Sequence, residues 1–464
     1  MNKNFWLVLG ACLIGTGLRF HALDRQSLWD DEMSTLRTIS TPRPQVIQRF
    51  ATYETHPPLY FLQLKLWRAL HFRSLVKLRA NSALWGSLGL FLAYLVGRFY
   101  GGEALGFLTL AFLALSPYHL AYSQEMRPYA MAVTIALAGW LNLERMVLAG
   151  RRGGLPLQVF LWTVLLYTHY WGVFVVLAQA VYGICASRST FDRKAVLAAA
   201  VISGVLFTPW LPVLSAQLGF VDQVAFWVSP FSIANLAKVF LAYSGLVFNM
   251  ASSVFYLPGR IWMLAAFGLA FAAALVMGLR RGPRGATIWL CVGLLVPWLL
   301  SSWKAVIFVW YRYPVIMLPA FALLVASGLL AMPSKILRVG LVLVCLGSQA
   351  WGGWIYFHRW QKANPKTVVA YVHHLRQPGL IVVRPAYFAD LFNFYDHGTT
   401  LAVDEDLLDD PDKRAALHGR NVIFVAFDVP SDPVGDALLG EFNPASALYF
   451  PGTAHLGITV YQLK

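Results

Sequence analysis

The chain has 464 residues, with 37 Lys and Arg against 22 Asp and Glu, for a net charge of +15. Hydrophobic residues make up 58% and charged residues only 13%, about half of the ~25% that coats a soluble domain. That composition excludes an ordinary soluble enzyme, and so high an apolar content excludes a disordered chain. Cys12, Cys185, Cys291 and Cys345 all lie within apolar runs, so neither a disulfide framework nor a zinc site with paired spacing is expected.

A membrane span needs about 20 mostly apolar residues. Eleven stretches qualify: 5–20, 79–97, 104–121, 128–147, 155–172, 173–187, 195–215, 261–279, 286–302, 313–332 and 337–356. The first follows Lys3 and resembles a signal sequence. It ends in Leu18-Arg19-Phe20-His21 with no small-residue cleavage site, so a retained first helix is expected. With the N-terminus in the cytoplasm, thirteen Lys and Arg fall at cytoplasmic ends and five in the short outer loops. That asymmetry follows the positive-inside rule. An odd number of spans then puts the C-terminus outside.

Three regions lie between or beyond the spans. A long polar loop covers 21–78. A second outer segment, 216–260, contains an apolar stretch that lies on or partly in the membrane. The tail, 357–464, alone has soluble composition. Its Thr367–Arg376 stretch is helix-like, and Leu380–Val383, Asn421–Phe427 and Gly457–Tyr461 are strand-like, which suggests a small α/β domain. An acidic group there (Asp404, Glu405, Asp406, Asp409, Asp410, Asp412) reads better as a solvated helix start and turn than as a cation site.

The first loop opens with Trp29-Asp30-Asp31-Glu32. Carboxylates beside a bilayer lose solvation, which suits a base that takes a proton from an alcohol or amine. The same acids suit a helix N-cap, with Asp30 or Asp31 capping Met33–Leu36, and the two roles are compatible. The loop closes with Glu54-Thr55-His56-Pro57-Pro58. The paired prolines fix two φ angles and hold Glu54 and His56 at the head of a helix over 59–70. That helix mixes Lys65 and Arg68 with large apolar residues, so it reads as interfacial. Glu54 and His56 could hold a divalent metal ion with the Asp30–Glu32 group, although two well-spaced ligands are weak grounds for one.

Further on, Tyr122-Ser123-Gln124-Glu125-Met126-Arg127-Pro128-Tyr129 sets Pro128 in the first turn of the fourth span and Arg127 at a positive helix end. A phosphate fits there, as does a pairing with Glu125 or simple snorkelling. Aromatics at His169-Tyr170-Trp171 and around Trp310-Tyr311-Arg312-Tyr313 read mostly as an interface belt. Lys304 and Arg312 add cations at the depth of a lipid phosphate. No charged residue lies plainly deep in a span, which weighs against an ion-coupled transporter.

These motifs resemble the bacterial family 39-type glycosyltransferases of the GT-C class, which are similar to protein O-mannosyltransferases and the lipid A aminoarabinose transferase. The resemblance is densest over 1–148 and continues through Arg312-Tyr313-Pro314 and Leu318-Pro319-Ala320. It implies a polytopic α-helical membrane protein of GT-C type with about 11 spans. Residues 1–356 would form the transferase domain, with its catalytic loop at 21–78, and 357–464 a small extracytoplasmic α/β domain. It also implies Asp31 as base, with Glu32 and Glu54 orienting it or the acceptor. Asp30, His56, Arg127, Tyr129, His169, Lys304 and Arg312 would bind substrate. The Tyr60-Phe61 pair departs from the mannosyltransferases, which carry glycine and lysine after this leucine, so a different acceptor is expected. The expected partners are a polyprenyl-phosphate sugar, a lipid, glycan or protein acceptor, and membrane lipids, with no nucleic acid. The expected place is the cytoplasmic membrane. The rival expectation is a transporter or flippase of polyprenyl-linked glycans.

Overall fold

A computed structural model describes residues 3–70, 73–147, 152–187, 189–224, 231–246, 261–303, 307–358, 363–375, 380–384, 388–396, 401–402, 422–427, 436, 439–440, 444–450 and 457–463. Two compact units emerge. One holds Met1–Leu23, Arg37–Phe248 and Val254–Ile355; the other holds Asp24–Leu36, Asn249–Ser253 and Tyr356–Lys464. The last stretch of the second unit begins at Tyr356. The start of the first loop, Asp24–Leu36, groups with the tail rather than with the spans.

In chain order the first sixteen α-helices are α1 (Lys3–Phe20), α2 (Asp30–Ser40), α3 (Val46–Thr52), α4 (Leu59–Ala69), α5 (Leu75–Leu115), α6 (Pro117–Ser123), α7 (Tyr129–Val147), α8 (Leu155–Thr168), α9 (Gly172–Ala186), α10 (Thr190–Phe207), α11 (Leu211–Val224), α12 (Ile233–Tyr243), α13 (Ile261–Arg281), α14 (Arg284–Leu300), α15 (Leu318–Leu330) and α16 (Lys335–His358). Helix occupies most of every stretch expected as a span. Among the described residues six helical runs are long and apolar enough to cross a membrane, and five shorter apolar helices accompany them. Burial separates inner from outer helices: 83% of the apolar window is buried in α7, against 22% in α13. Outer positions such as Trp262 and Ile336 are 80% and 86% exposed. Water would penalise such a surface, whereas lipid matches it. The chain is a mostly helical, multi-pass membrane protein.

Two breaks shape the region before α7. Within α5, Gly102 takes φ 73°, a conformation that favours glycine. A Cβ on Gly97 would lie 2.8 Å from Gly106 Cα, although nine residues of straight helix span about 13 Å. The chain therefore doubles back there, and one element supplies two of the expected spans. The next span does not run unbroken to 121. It ends at Leu115, and Ser116 with Pro117 starts the short α6, the Ser116 hydroxyl accepting from His119 N. Arg19, fully buried, supplies donors to the stranded carbonyls of α5's last turn, Leu113 at 3.0 Å and Ala114 at 3.2 Å. Gln124 returns the favour at the end of α1, its amide reaching the Leu18, Arg19 and His21 carbonyls. These contacts fix the path of 116–128, and with it Arg127.

Buried ionisable groups are more numerous in the helices than the sequence reading recognised. Arg79 donates to the Leu23 carbonyl, and Glu144 in α7 takes the Tyr100 and Tyr182 hydroxyls. Each makes protein hydrogen bonds, the usual condition for a buried charge in a membrane.

In the second unit the expected helix and three expected strands are present: α17 (Pro365–His374), β1 (Leu380–Arg384), β3 (Val422–Phe427) and β5 (Ile458–Leu463). α18 (Ala389–Asp396), β2 (Leu401–Ala402) and β4 (Pro444–Phe450) complete it. The sheet order is β2-β1-β3-β5-β4. β1 lies parallel to β2 and β3, whereas β5 lies antiparallel to β3 and β4. The apolar run Val422–Val425 is buried at the centre, as a strand covered on both faces requires. The acidic group at 404–412 lies outside the described residues.

Candidate functional site

The first unit gathers several predicted residues. The paired prolines act as expected: Pro58 stands at the N-cap of α4 and the loop ahead of it is fixed. Glu54, His56 and Arg127 are all buried. His56 Nδ1 lies 2.9 Å from Arg127 Nη2 and 3.1 Å from Glu54 Oε1, and Arg127 Nη2 lies 3.7 Å from that same oxygen. An arginine N–H always donates. At Nδ1, then, His56 either accepts from Arg127 or, once protonated, donates to Glu54. One proton on one atom decides which partner it holds. The Thr55 N–H also donates to Glu54 Oε1, at 3.0 Å.

Arg127 lies two residues ahead of the first helical residue, one further out than expected with Pro128 in the first turn. Ala132 N bonds to Pro128 O, so Pro128 takes the N-cap place and α7 begins at Tyr129. Its burial removes the snorkelling alternative, and its guanidinium turns toward His56, Glu54 and the face of Phe61.

His169 follows the last residue of α8. Its Nδ1 accepts the Trp171 N–H at 3.0 Å, which places the proton of the neutral ring on Nε2. That Nε2 is buried and meets no protein acceptor among the described residues. The rings of His56, Tyr129, His169 and Tyr313 pack together, with centroids 5.0–6.3 Å apart. His169, Trp171, Trp310 and Tyr311 are buried, not the interface belt expected of them.

Arg312 and Tyr313 are set by tyrosines. Tyr118 and Tyr122, one turn apart on α6, direct their hydroxyls to the carbonyls of 310–312, and Tyr243 bonds to Pro314 O. Arg312 is buried, with its guanidinium over the Tyr311 ring. Lys304 lies outside the described residues. Sequence reasoning missed Gln217 of α11. Its amide reaches the carbonyls of Phe50 (3.0 Å), Glu54 (2.8 Å) and His56 (3.5 Å), holding the loop that carries the acid and the imidazole. A lone glutamine in the apolar run Leu211–Phe220 was its only signal.

The acidic motif belongs to the second unit. Asp30, Asp31 and Glu32 form the first turn of α2. The first helical hydrogen bond runs from Met33 N to Trp29 O, so Trp29 takes the cap position expected for Asp30 or Asp31. Acids in a first turn face the positive end of the helix dipole. Glu32 is buried, whereas Asp30 and Asp31 are half-buried.

Among the described residues no group of three His, Cys, Asp or Glu side chains is placed to hold a metal. The donor atoms such an ion would use in the first unit, Glu54 Oε1 and His56 Nδ1, are those turned toward Arg127.

The fold is that of the GT-C glycosyltransferases, with a multi-pass helical body and a small sheet in the C-terminal region. Over its full length the chain is similar to ArnT from Cupriavidus metallidurans bound to undecaprenyl phosphate. The TM-score is 0.58 at 15% identity, covering 99% of this chain and 98% of that one. It is also similar to the Archaeoglobus fulgidus oligosaccharyltransferase in complex with Zn and sulfate (TM-score 0.54, 12% identity, 97% and 72% covered). Residues 55–212, less than half of the chain, match the family model described as dolichyl-phosphate-mannose-protein mannosyltransferase. No curated protein matches the chain in sequence.

Proposed function

We propose that the protein transfers a sugar from a polyprenyl-phosphate donor to an acceptor at the outer face of the cytoplasmic membrane, with inversion at the anomeric carbon. The observation that carries this reading is the buried Arg127, turned to His56 and Glu54; Arg127 and His56 lie within the segment that matches the mannosyltransferase family. Undecaprenyl phosphate bound to ArnT supports the donor class. An acceptor peptide tethered to the archaeal oligosaccharyltransferase supports protein among the acceptor classes, beside lipid and glycan. The charge asymmetry of the loops supports a cytoplasmic N-terminus and an outer tail.

In this reading the Asp31 carboxylate takes the acceptor's proton. The acceptor oxygen or nitrogen bonds to the anomeric carbon from the face opposite the phosphate, and the bond from that carbon to the phosphate oxygen breaks. Polyprenyl phosphate leaves with the electron pair. It leaves as an anion, so it needs cations more than a general acid, and Arg127 and Arg312 supply them. Glu32 and Glu54 orient the base or the acceptor. Asp30, His56, Tyr129, His169 and Lys304 complete substrate binding.

A general base contributes about 10²–10⁴-fold, so Asp31→Asn loses that factor in turnover. Purified protein in lipid, supplied with a panel of undecaprenyl-phosphate hexoses and pentoses plus cell-envelope extract as acceptor, tests it by mass spectrometry. Full turnover in a well-folded Asp31→Asn protein defeats the assignment. Transport of the donor without consumption points to the flippase reading.

A further inference from the structure

The tail does more than follow the last helix. Ser27 Oγ donates to Asn364 Oδ1 at 2.9 Å, and Leu28 N donates to the Tyr395 hydroxyl at 2.7 Å. Both bonds join the residues just ahead of the acidic turn to the C-terminal part of the same compact unit. Ser27 and Leu28 are fully buried. Asn364 is itself fixed: it caps α17 by accepting Thr367 N and donates to Thr367 Oγ1.

The first turn of a helix is its weakest part, because its leading N–H groups have no intrahelical partner. In α2 the ladder starts only at Met33 N to Trp29 O, and Thr35 Oγ1 adds a bond to Asp31 O. The backbone leading into Asp30, Asp31 and Glu32 is held one and two residues before the cap. Those residues are Leu28 and Ser27.

We propose that the C-terminal unit fixes the acid-bearing turn, with Tyr395 and Asn364 as positioning residues for Asp31; the inference rests on the reading of Asp31 as base. Their effect is to hold the carboxylate at one place and angle, which a general base requires and an unanchored first turn does not supply.

The test uses the full-length protein in lipid nanodiscs. Its first arm needs no substrate: hydrogen exchange followed by mass spectrometry. In Tyr395→Phe and in Ser27→Ala, which leaves the α17 cap intact, exchange over 27–36 rises about fivefold, the size of one lost hydrogen bond. Peptides from α7 keep wild-type rates, and Asn364→Asp, which retains the accepting oxygen, exchanges like wild type over 27–36. Unchanged exchange in both Tyr395→Phe and Ser27→Ala overturns the inference. The second arm measures turnover of undecaprenyl-phosphate hexoses and pentoses. Tyr395→Phe lowers kcat about fivefold with donor KM within about twofold, and it costs nothing more in the Asp31→Asn background. An equal loss in both backgrounds assigns Tyr395 a general structural role and rejects the inference. Full turnover in Asp31→Asn alone rejects the base itself, and the inference with it. A normal loss in Asp31→Asn beside wild-type behaviour in Tyr395→Phe rejects the inference alone.

Discussion

The side-chain amide of Gln217 donates to the carbonyl oxygen of Glu54 at 2.8 Å. It lies in the apolar run Leu211–Phe220 of α11, and it holds the loop between α3 and α4 from the side. Gln217→Leu leaves buried carbonyls at Phe50, Glu54 and His56 without this donor. An unsatisfied buried group costs about 1–3 kcal/mol. The expected result is a lower Tm in detergent together with weaker donor turnover. An unchanged Tm shows that the loop holds itself.

Arg127 and Glu54 compensate one another in a buried place. Removing one partner of such a pair costs about 3–5 kcal/mol, because the other charge stays buried. Arg127→Gln is therefore expected to destabilise strongly, and adding Glu54→Gln to recover part of the loss. A double-mutant cycle on thermal unfolding measures this directly. Strict additivity argues against direct coupling.

The contact of α13 with α15 depends on missing side chains. A Cβ on Gly328 would lie 1.8 Å from Ala274 O, and one on Gly278 2.0 Å from Leu324 O. Both obstacles are backbone, so the helices themselves must separate. Gly328→Ala is expected to cut the yield of monodisperse protein sharply, while Gly204→Ala, with nothing within 4 Å, does not. Size-exclusion profiles compare them, and similar yields contradict the close packing.

Much of this was legible because long apolar runs and buried strands carry their own periodicity. Leu380–Val383 and Asn421–Phe427 announced β1 and β3 for that reason. β4 did not, since it is an exposed strand that begins with Pro444 and buries almost nothing. The grouping of Glu54, His56 and Arg127 was partly readable, since the prolines and the helix start mark their loops. Their shared contact at His56 Nδ1 was not, because 71 residues separate His56 from Arg127. Gln217 escaped notice because one glutamine in a hydrophobic helix has no pattern. The cap on α2 was misassigned because three successive acids fit either the cap or the first turn, and only the Met33–Trp29 bond distinguishes them.

Ser27 lies 337 residues from Asn364, and Leu28 lies 367 from Tyr395. During synthesis the acidic turn is made early, and the groups bonded just ahead of it emerge only after α16. A ribosome that has finished every hydrophobic helix has still not delivered them. On the proposed role of Tyr395 and Asn364, a product truncated after α16 sits in the membrane with its acidic turn unsteadied and transfers no sugar.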